Sequence, residues 1–195
     1  MNKQLKLIIL SLALTLSQTL FATTDGEKSM SGMTLDNALS TLSFLSIKNG
    51  AVGETHTIDK LSGSLSAEGD LIVTLDLNSV NTKIDIRNER MRKYLFETTD
   101  NPTATVSAKI GAITEGVSRM NGAIELNLHG VKKSVDFEAM VVRFDDKLMV
   151  SSAKPIIVNA SDYAMDGGIA MLQKLAKLPA IATAVPVNFV LTFSK

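Results

Sequence analysis

The stretch GAIELNLHGVKKSVDFEAMV, residues 122–141, carries the pattern that decides the fold. Apolar and polar residues alternate on both sides of His129-Gly130, with Ile124, Leu126 and Leu128 before it and Val135, Phe137, Ala139 and Val141 after it. A period of two is typical of strands that bury one face. The stretch therefore predicts two strands, with His129 as a hydrogen-bonded residue that closes the turn at Gly130.

The same alternation extends through most of the chain. It is strong at residues 71–77 and from residue 185 to the C-terminus, and weaker at residues 42–47, 58–65, 103–110 and 148–158. About eight strands are expected, a number at which an antiparallel sheet can close on itself. Residues 85–96 and 168–178 have helical patterns and fall between strands. We predict a mainly β fold, an antiparallel eight-stranded barrel with short helices at its rim, whose interior is either filled by side chains or holds one small ligand.

The N-terminus predicts a secretory signal. Lys3 and Lys6 precede a short apolar run, which Ser17-Gln18-Thr19 interrupts before it reaches the length of about 20 residues that a membrane-spanning helix needs. Ala22 is the best candidate for the last residue removed, so residues 1–22 are predicted to be the signal and residues 23–195 the mature domain. No cysteine follows the run, which excludes a lipoprotein anchor, and we expect an exported, periplasmic protein without a stable membrane anchor.

The composition excludes several classes of function. The chain has 20 basic and 20 acidic residues, and loss of Lys3 and Lys6 changes the formal net charge from 0 to −2. Such a balance predicts no electrostatic attraction to nucleic acid. The chain contains no cysteine, which rules out disulfides, thiolate metal sites and a cysteine nucleophile.

Several blocks of the sequence resemble one family of exported proteins, the YceI-like family. They are Leu61-Ser62-Gly63-Ser64-Leu65, Ser79-Val80-Asn81-Thr82, Arg87-Asn88-Glu89-Arg90-Met91-Arg92, Asn101-Pro102-Thr103-Ala104-Thr105, residues 122–135 and Asn159-Ala160-Ser161-Asp162-Tyr163-Ala164-Met165. They occur in the family's order over nearly the whole mature chain. The resemblance implies a lipocalin-like barrel that encloses an isoprenoid or another lipid-like chain. Val106 and Asn101 stand where the family usually has aromatic residues.

We accordingly expect a protein that binds or transports a lipid-like, isoprenoid or quinone-type ligand and has no catalytic activity. The expected apolar lining is Phe44, Leu75, Leu77, Leu126, Leu128, Phe137, Phe189 and Leu191. A possible head-group site is formed by Arg87, Arg90, Met91 and Tyr94 on the first helix, although a solvated helix face explains the same pattern. The alternative function is a filled barrel that acts as a stress-related structural or protein-interaction module, and pairing into a homodimer stays open.

Catalytic and metal sites have little support in the sequence. His56 and His129 are the only histidines and neither has a neighbouring ligand residue, so we expect no metal and no cofactor. Ser161, His129 and Asp162 could be grouped into a triad, but the chain has no Gly-x-Ser-x-Gly elbow, and a Ser-Asp pair in a strand would point to opposite faces. We therefore predict that the protein is not an enzyme.

Overall fold

A computed structural model describes residues 32–195. The predicted signal, residues 1–22, lies outside the described residues. The described strands are β1 (Met33–Leu35), β2 (Thr41–Lys48), β3 (Val52–Ile58), β4 (Leu61–Leu65), β5 (Asp70–Asp76), β6 (Val80–Asn81), β7 (Thr103–Lys109), β8 (Gly116–Leu128), β9 (Val131–Phe144), β10 (Lys147–Ser152), β11 (Ile156–Asn159) and β12 (Ala184–Ser194). The helices are α1 (Asp85–Arg90), which continues as a π-helical turn (Met91–Leu95), and α2 (Asp166–Ala176).

The strands form one closed antiparallel barrel. β1 and β2, β3 and β4, β5 and β6, and β10 and β11 are each two parts of one interrupted strand, because the two parts follow each other along the same side of one neighbouring strand. Counted in this way, the chain makes eight strands in sequential order. The ring closes through β12, which pairs with β10 and β11 on one edge and with β1 and β2 on the other. The predicted eight-stranded barrel is confirmed.

Strand alternation sets which residues face the interior. Val73, Val106 and Leu126 are aligned across β5, β7 and β8, and all three face inward. The hairpin between β8 and β9 turns on His129 and Gly130, with φ values of 52° and 76°. Positive φ at both central residues matches the twist of the flanking strands. The turn at Gly130 is therefore present as the sequence predicts.

Two of the weaker strand predictions were wrong, because each predicted strand is divided into two in the structure. Residues 58–65 do not form one strand, because β3 ends at Ile58 and β4 begins at Leu61. Between them, the Asp59 carboxylate accepts hydrogen bonds from Thr57 Oγ1 at 2.5 Å and from Asn81 Nδ2 at 2.7 Å. Residues 148–158 are also divided, into β10 and β11, around Pro155, which has no N–H to donate to a strand ladder.

The helices lie at one end of the barrel, as predicted, with shifted bounds. Residues 85–96 form α1 only as far as Arg90, after which the backbone widens into the π-helical turn. Asn88 Oδ1 fixes the start of α1 by accepting hydrogen bonds from Thr82 N at 2.7 Å and Thr82 Oγ1 at 2.6 Å. α2 begins at Asp166, so Gly167 and Gly168 belong to its first turn. Within residues 32–195, neither helix has the length and apolarity needed to cross a bilayer.

Candidate ligand-binding cavity

A cavity of about 230 Å³ occupies the centre of the barrel. Every side chain that lines it is apolar. It lies against inward-facing residues from all eight strands of the ring, such as Val73 on β5 and Leu148 on β10. An eight-stranded barrel can be filled by its own side chains or can enclose a ligand. This barrel has free space of the kind that takes up apolar molecules.

All eight residues of the predicted lining face this cavity: Phe44, Leu75, Leu77, Leu126, Leu128, Phe137, Phe189 and Leu191. They lie there because a buried face fixes the register of each strand, so that the apolar set can point only inward. Their contact with a ligand stays a prediction.

Sequence reasoning missed the residues that close the two ends. At one end Leu95, Phe96, Met165 and Ile169 line the cavity from the helical cap, which consists of α1, the π-helical turn and α2. The helical spacing of Leu95 and Ile169 carried a signal for buried faces, but it did not show that those faces meet the barrel interior. At the other end Ile113 and its neighbour Ile110 line the cavity from the loop after β7.

Close backbone contact holds the helical cap together. A Cβ atom on Gly168 would lie 2.4 Å from the Tyr94 carbonyl oxygen and 2.8 Å from Leu95 Cα. α2 therefore packs directly on the backbone of the π-helical turn, and this contact requires glycine. The tight packing brings Ile169 and Leu95 together over the same end of the cavity.

His129 joins the cap to the barrel. Its Nδ1 lies 3.2 Å from the Tyr163 carbonyl oxygen and its Nε2 lies 2.9 Å from Glu97 Oε2. Glu97 follows the π-helical turn and Tyr163 precedes α2, so one ring connects the hairpin turn to both cap segments. The structure agrees with the structural role predicted for His129.

At the opposite end, a buried arginine holds the closing loop. Arg143, at 9% exposure, extends from β9 into the barrel end, and its Nη1 donates to the carbonyl oxygen of Ile113. Ile113 is itself only 4% exposed. The loop after β7 is thus tied to the wall, and the cavity is covered at this end as well.

The residues of the predicted head-group site do not line the cavity. Arg87 Nη1 donates to Glu54 Oε2 at 2.5 Å, and Arg87 Nη2 donates to the Thr82 carbonyl oxygen at 2.7 Å. Lys48 Nζ lies 2.6 Å from the same Glu54 oxygen. A hydrogen bond from Lys48, assisted by the charge of Arg87, lowers the pKa of Glu54. Arg87 is therefore held within the protein by Glu54, which it shares with Lys48.

The other three residues of that predicted site are dispersed. Arg90 is half-buried and makes no hydrogen bond or ion pair within the described part of the chain. Met91 is buried in the core at 5% exposure, and Tyr94 has Lys93 Nζ at 5.1 Å from its ring centroid. Met91 is buried without lining the cavity, whereas Leu95 lines it. The structure does not assemble the four residues into one site.

His56 lies inside the barrel beside this charged group. It pairs across strands with Phe44, which lines the cavity, and the two rings meet edge to face with centroids 5.4 Å apart. Directly paired residues of antiparallel strands share a face, so His56 points inward. Burial lowers the pKa of His56, and the positive charge of Arg87 lowers it further. The residue is therefore a neutral imidazole at the edge of the apolar cavity.

The serine and the histidine that a catalytic triad would need bond to other groups. Ser161 lies in a 3₁₀ turn (Ala160–Tyr163), so its predicted placement in a strand was wrong, and its Oγ donates to Asp166 Oδ1 at 2.6 Å. Both ring nitrogens of His129 have other partners, as described above. Among residues 32–195, no three His, Cys, Asp or Glu side chains form a group that could hold a metal ion.

The geometry defines a class of protein: a lipocalin-like antiparallel barrel with an entirely apolar internal cavity. The YceI-like domain family model matches residues 33–193, and the chain belongs to that family. No curated protein matches the chain at a significant level.

Solved structures agree with this assignment. A polyisoprenoid binding domain from Saccharophagus degradans, implicated in plant cell wall breakdown, is 40% identical with a TM-score of 0.80, over 83% of this chain and 97% of that one. BcnA of Burkholderia cenocepacia has a TM-score of 0.62 at 16% identity, over 81% of this chain and 98% of that one. The YceI protein of Campylobacter jejuni has a TM-score of 0.55 at 17% identity, over 72% and 84%. The last two show likeness of fold alone.

Proposed function

We propose that this protein binds an isoprenoid lipid in its barrel and carries it outside the cytoplasm without catalysing a reaction. The observation that carries this proposal is the central cavity with its entirely apolar lining. A cavity of this character excludes charged and strongly polar molecules, because nothing in its lining can replace their hydration. The similarity to the Saccharophagus degradans domain supports an isoprenoid as the ligand.

The cavity has room for a short chain. An apolar cavity of about 150 Å³ holds benzene, so a cavity of about 230 Å³ takes roughly nine carbon-sized groups. This matches about two isoprene units, and a longer chain would extend beyond the cavity. Burial of about ten CH₂ groups at ~0.8 kcal/mol each supplies ~8 kcal/mol before ordering costs, which is the range of micromolar binding.

The cavity also supports binding over the filled-barrel alternative. A barrel that served only as a structural or interaction module would gain stability from filling its interior, since an empty volume forfeits packing contacts. Ser161 and His129 bond to partners outside the suggested triad, which supports a role without catalysis.

Export is the second part of the proposal, and it rests on the N-terminal sequence. Cleavage after Ala22 would leave Thr23 as the first residue of a mature chain without a lipid anchor. The test is N-terminal sequencing and intact mass of the protein recovered from the periplasmic fraction of its own host. A full-length mass, or recovery with the cytoplasmic fraction, would overturn it.

Native mass spectrometry of the protein purified from its host tests ligand binding. We expect a bound species whose mass excess matches a lipid recovered by solvent extraction of the same sample. Protein that emerges without lipid in repeated preparations, and that takes up no isoprenoid alcohol from vesicles, would refute the proposal.

A further inference from the structure

The barrel wall has a gap between β9 and β11. Pairing between β9 and β10 ends at Ala139 and Ser152, and one more backbone bond follows, from Ala153 N to Glu138 O at 2.8 Å. Beyond that point β11 pairs with β12 on its other edge, and no register joins it to β9. β9 meanwhile stays paired with β8 along its opposite edge down to Val131. The gap thus lies in a single seam of the barrel, near the helical cap.

A cleft of about 360 Å³ passes through this gap. It is lined from β9 by Ser134 and Val135 among others, and from β11 by Ile157 and Val158. Successive strand residues point to opposite faces of a sheet, so a cleft lined by both members of each pair extends from the outside of the wall to the inside.

Only apolar side chains separate this cleft from the central cavity. Val135 and Val158 line both spaces. Ile157, on the outer side, is 55% exposed, which gives the gap an apolar outer edge as well. The helical cap lies at one end of the barrel and the Ile113 loop at the other, and the gap offers a lateral route between the cavity and the outside.

We propose that the gap between β9 and β11 is the entrance of the cavity, and that the cleft within it holds the ligand's polar end, an uncharged, oxygen-bearing head group such as an alcohol or a quinone ring. This inference rests on the proposed isoprenoid binding and adds the site of entry and the class of head group. The chain would pass between Val135 and Val158, while the head group would stop at the polar rim.

The charges of the cleft select against an anionic head group. Lys133 is its one basic residue, against the two carboxylates of Asp136 and Asp162. A diphosphate would gain one attraction and meet two repulsions, which is unfavourable for a multiply charged anion. An uncharged head group faces no such repulsion and can still bond to Asn159, Ser134 and the unpaired strand edges.

Tyr163 lines the cleft, and its hydroxyl is buried beneath the surface of the cleft. The residue is 2% exposed, and within the described chain its hydroxyl has no hydrogen-bond partner. Burial raises the pKa of this hydroxyl, so that it keeps its proton and can act as a donor. A buried polar group without a partner costs free energy, and a ligand oxygen placed against it would remove that cost.

Entry is tested by blocking the gap with a bulky thiol label. The chain has no cysteine, so Ser134→Cys places a single reactive thiol on the outer rim. Ser64→Cys is the matched control, because Ser64 is also exposed and outward-facing but its strand is paired on both sides, with Thr34 and with Ile72. Transfer of geranylgeraniol from phosphatidylcholine vesicles, followed by native mass spectrometry over time, gives the rate of uptake.

We expect a maleimide–polyethylene glycol adduct at residue 134 to slow uptake at least tenfold, while the adduct at residue 64 leaves it unchanged. Equal rates in the two labelled proteins would overturn the entrance. Failure of both unlabelled proteins to take up the alcohol would instead refute the proposed isoprenoid binding.

The head-group class is tested with ligands of one chain length. We expect geranylgeraniol to bind at least tenfold more tightly than geranylgeranyl diphosphate, and Asp136→Asn with Asp162→Asn to narrow that ratio. Tyr163→Phe should weaken binding of the alcohol about fivefold and leave binding of the C20 hydrocarbon phytane unchanged. A diphosphate that binds as tightly as the alcohol, or an equal effect of Tyr163→Phe on both ligands, would overturn the head-group site.

Discussion

Substitutions that fill the cavity should lower ligand affinity without lowering the stability of the fold. Val106 on β7 and Val150 on β10 both line the cavity, and each has paired strands on both sides. Replacement of both by phenylalanine adds roughly eight carbon-sized groups, against the roughly nine that the cavity can hold. The double variant therefore fills most of the space that a ligand would use.

The expected loss of affinity follows from the same count. Eight fewer buried groups at ~0.8 kcal/mol each remove ~6 kcal/mol of ligand burial as an upper limit. Since about 1.4 kcal/mol corresponds to a tenfold change, we expect the affinity for geranylgeraniol to fall at least 100-fold. Titration monitored by native mass spectrometry or calorimetry measures this change.

The stability of the same variant should change little. Enlarging a side chain in a filled core typically costs 1–3 kcal/mol, but here the rings enter free space and gain apolar burial. We expect the free energy of unfolding in urea to stay within about 1 kcal/mol of the parent or to increase.

The matched control is Val52→Phe with Val117→Phe. These valines are 50% and 65% exposed, so the same substitutions leave the cavity unchanged, and ligand affinity should be retained. A Val106→Phe, Val150→Phe protein that loses several kcal/mol of stability would show that the barrel is filled. One that binds geranylgeraniol normally would show that the ligand lies elsewhere.

Three further results are expected. Gly168→Ala forces a Cβ against the Tyr94 carbonyl oxygen and should lower the melting temperature by about 4–8 °C. Gly167→Ala is the control and should not lower it, because nothing lies within 4 Å of the new Cβ. Equal melting temperatures of the two variants would contradict the close packing of the cap. Burial lowers the pKa of His56 in the folded protein, so the unfolded chain protonates this histidine more readily. The contribution of His56 to the free energy of unfolding is therefore fully present above the ordinary histidine pKa of about 6.5 and falls as the pH decreases below it. His56→Gln should flatten this decrease in urea unfolding between pH 7 and 5.5, and an unchanged slope would exclude the residue. Affinity for isoprenoid alcohols should rise from C5 to about C10 and then level off, since the cavity holds roughly nine carbon-sized groups, and a steady increase to C30 would show that the space is larger.

The barrel and its lining could be predicted from sequence because both depend on alternation. A strand with one buried face allows only one register, since a slip by one residue turns its whole apolar set outward. Phe137 and Leu126 could therefore be assigned to the interior without knowledge of their neighbours. The cap residues Leu95 and Ile169 could not, because a helix face becomes part of a cavity only through the way the helix is docked.

Charge pairing was the least predictable feature of the site. Arg87 lies 33 residues from Glu54 in sequence, and their contact depends on how α1 crosses the end of the barrel. The sequence of α1 does not distinguish an arginine that is bonded to a distant carboxylate from one that is available to bind a ligand. The helix pattern suggested a head-group site, and only the folded structure shows that Arg87 is already bonded to Glu54.

The break at Pro155 explains both a wrong prediction and the proposed entrance. A continuous strand over residues 148–158 would pair with β9 along its length and close the wall. Proline removes one ladder donor and bends the chain, so β11 separates from β9 while keeping its bonds to β12.

The facing edges of β9 and β11 are left unpaired, and unpaired strand edges favour association with other chains. Lys133 and Asp136 lie at the β9 edge, where charged side chains oppose such association. The same polar side chains admit water to the rim, so the unpaired backbone groups stay solvated, while Val135 and Val158 keep water from the cavity behind them. The wall thus opens at a seam where the sequence supplies a strand breaker, polar edges and a pair of apolar side chains together.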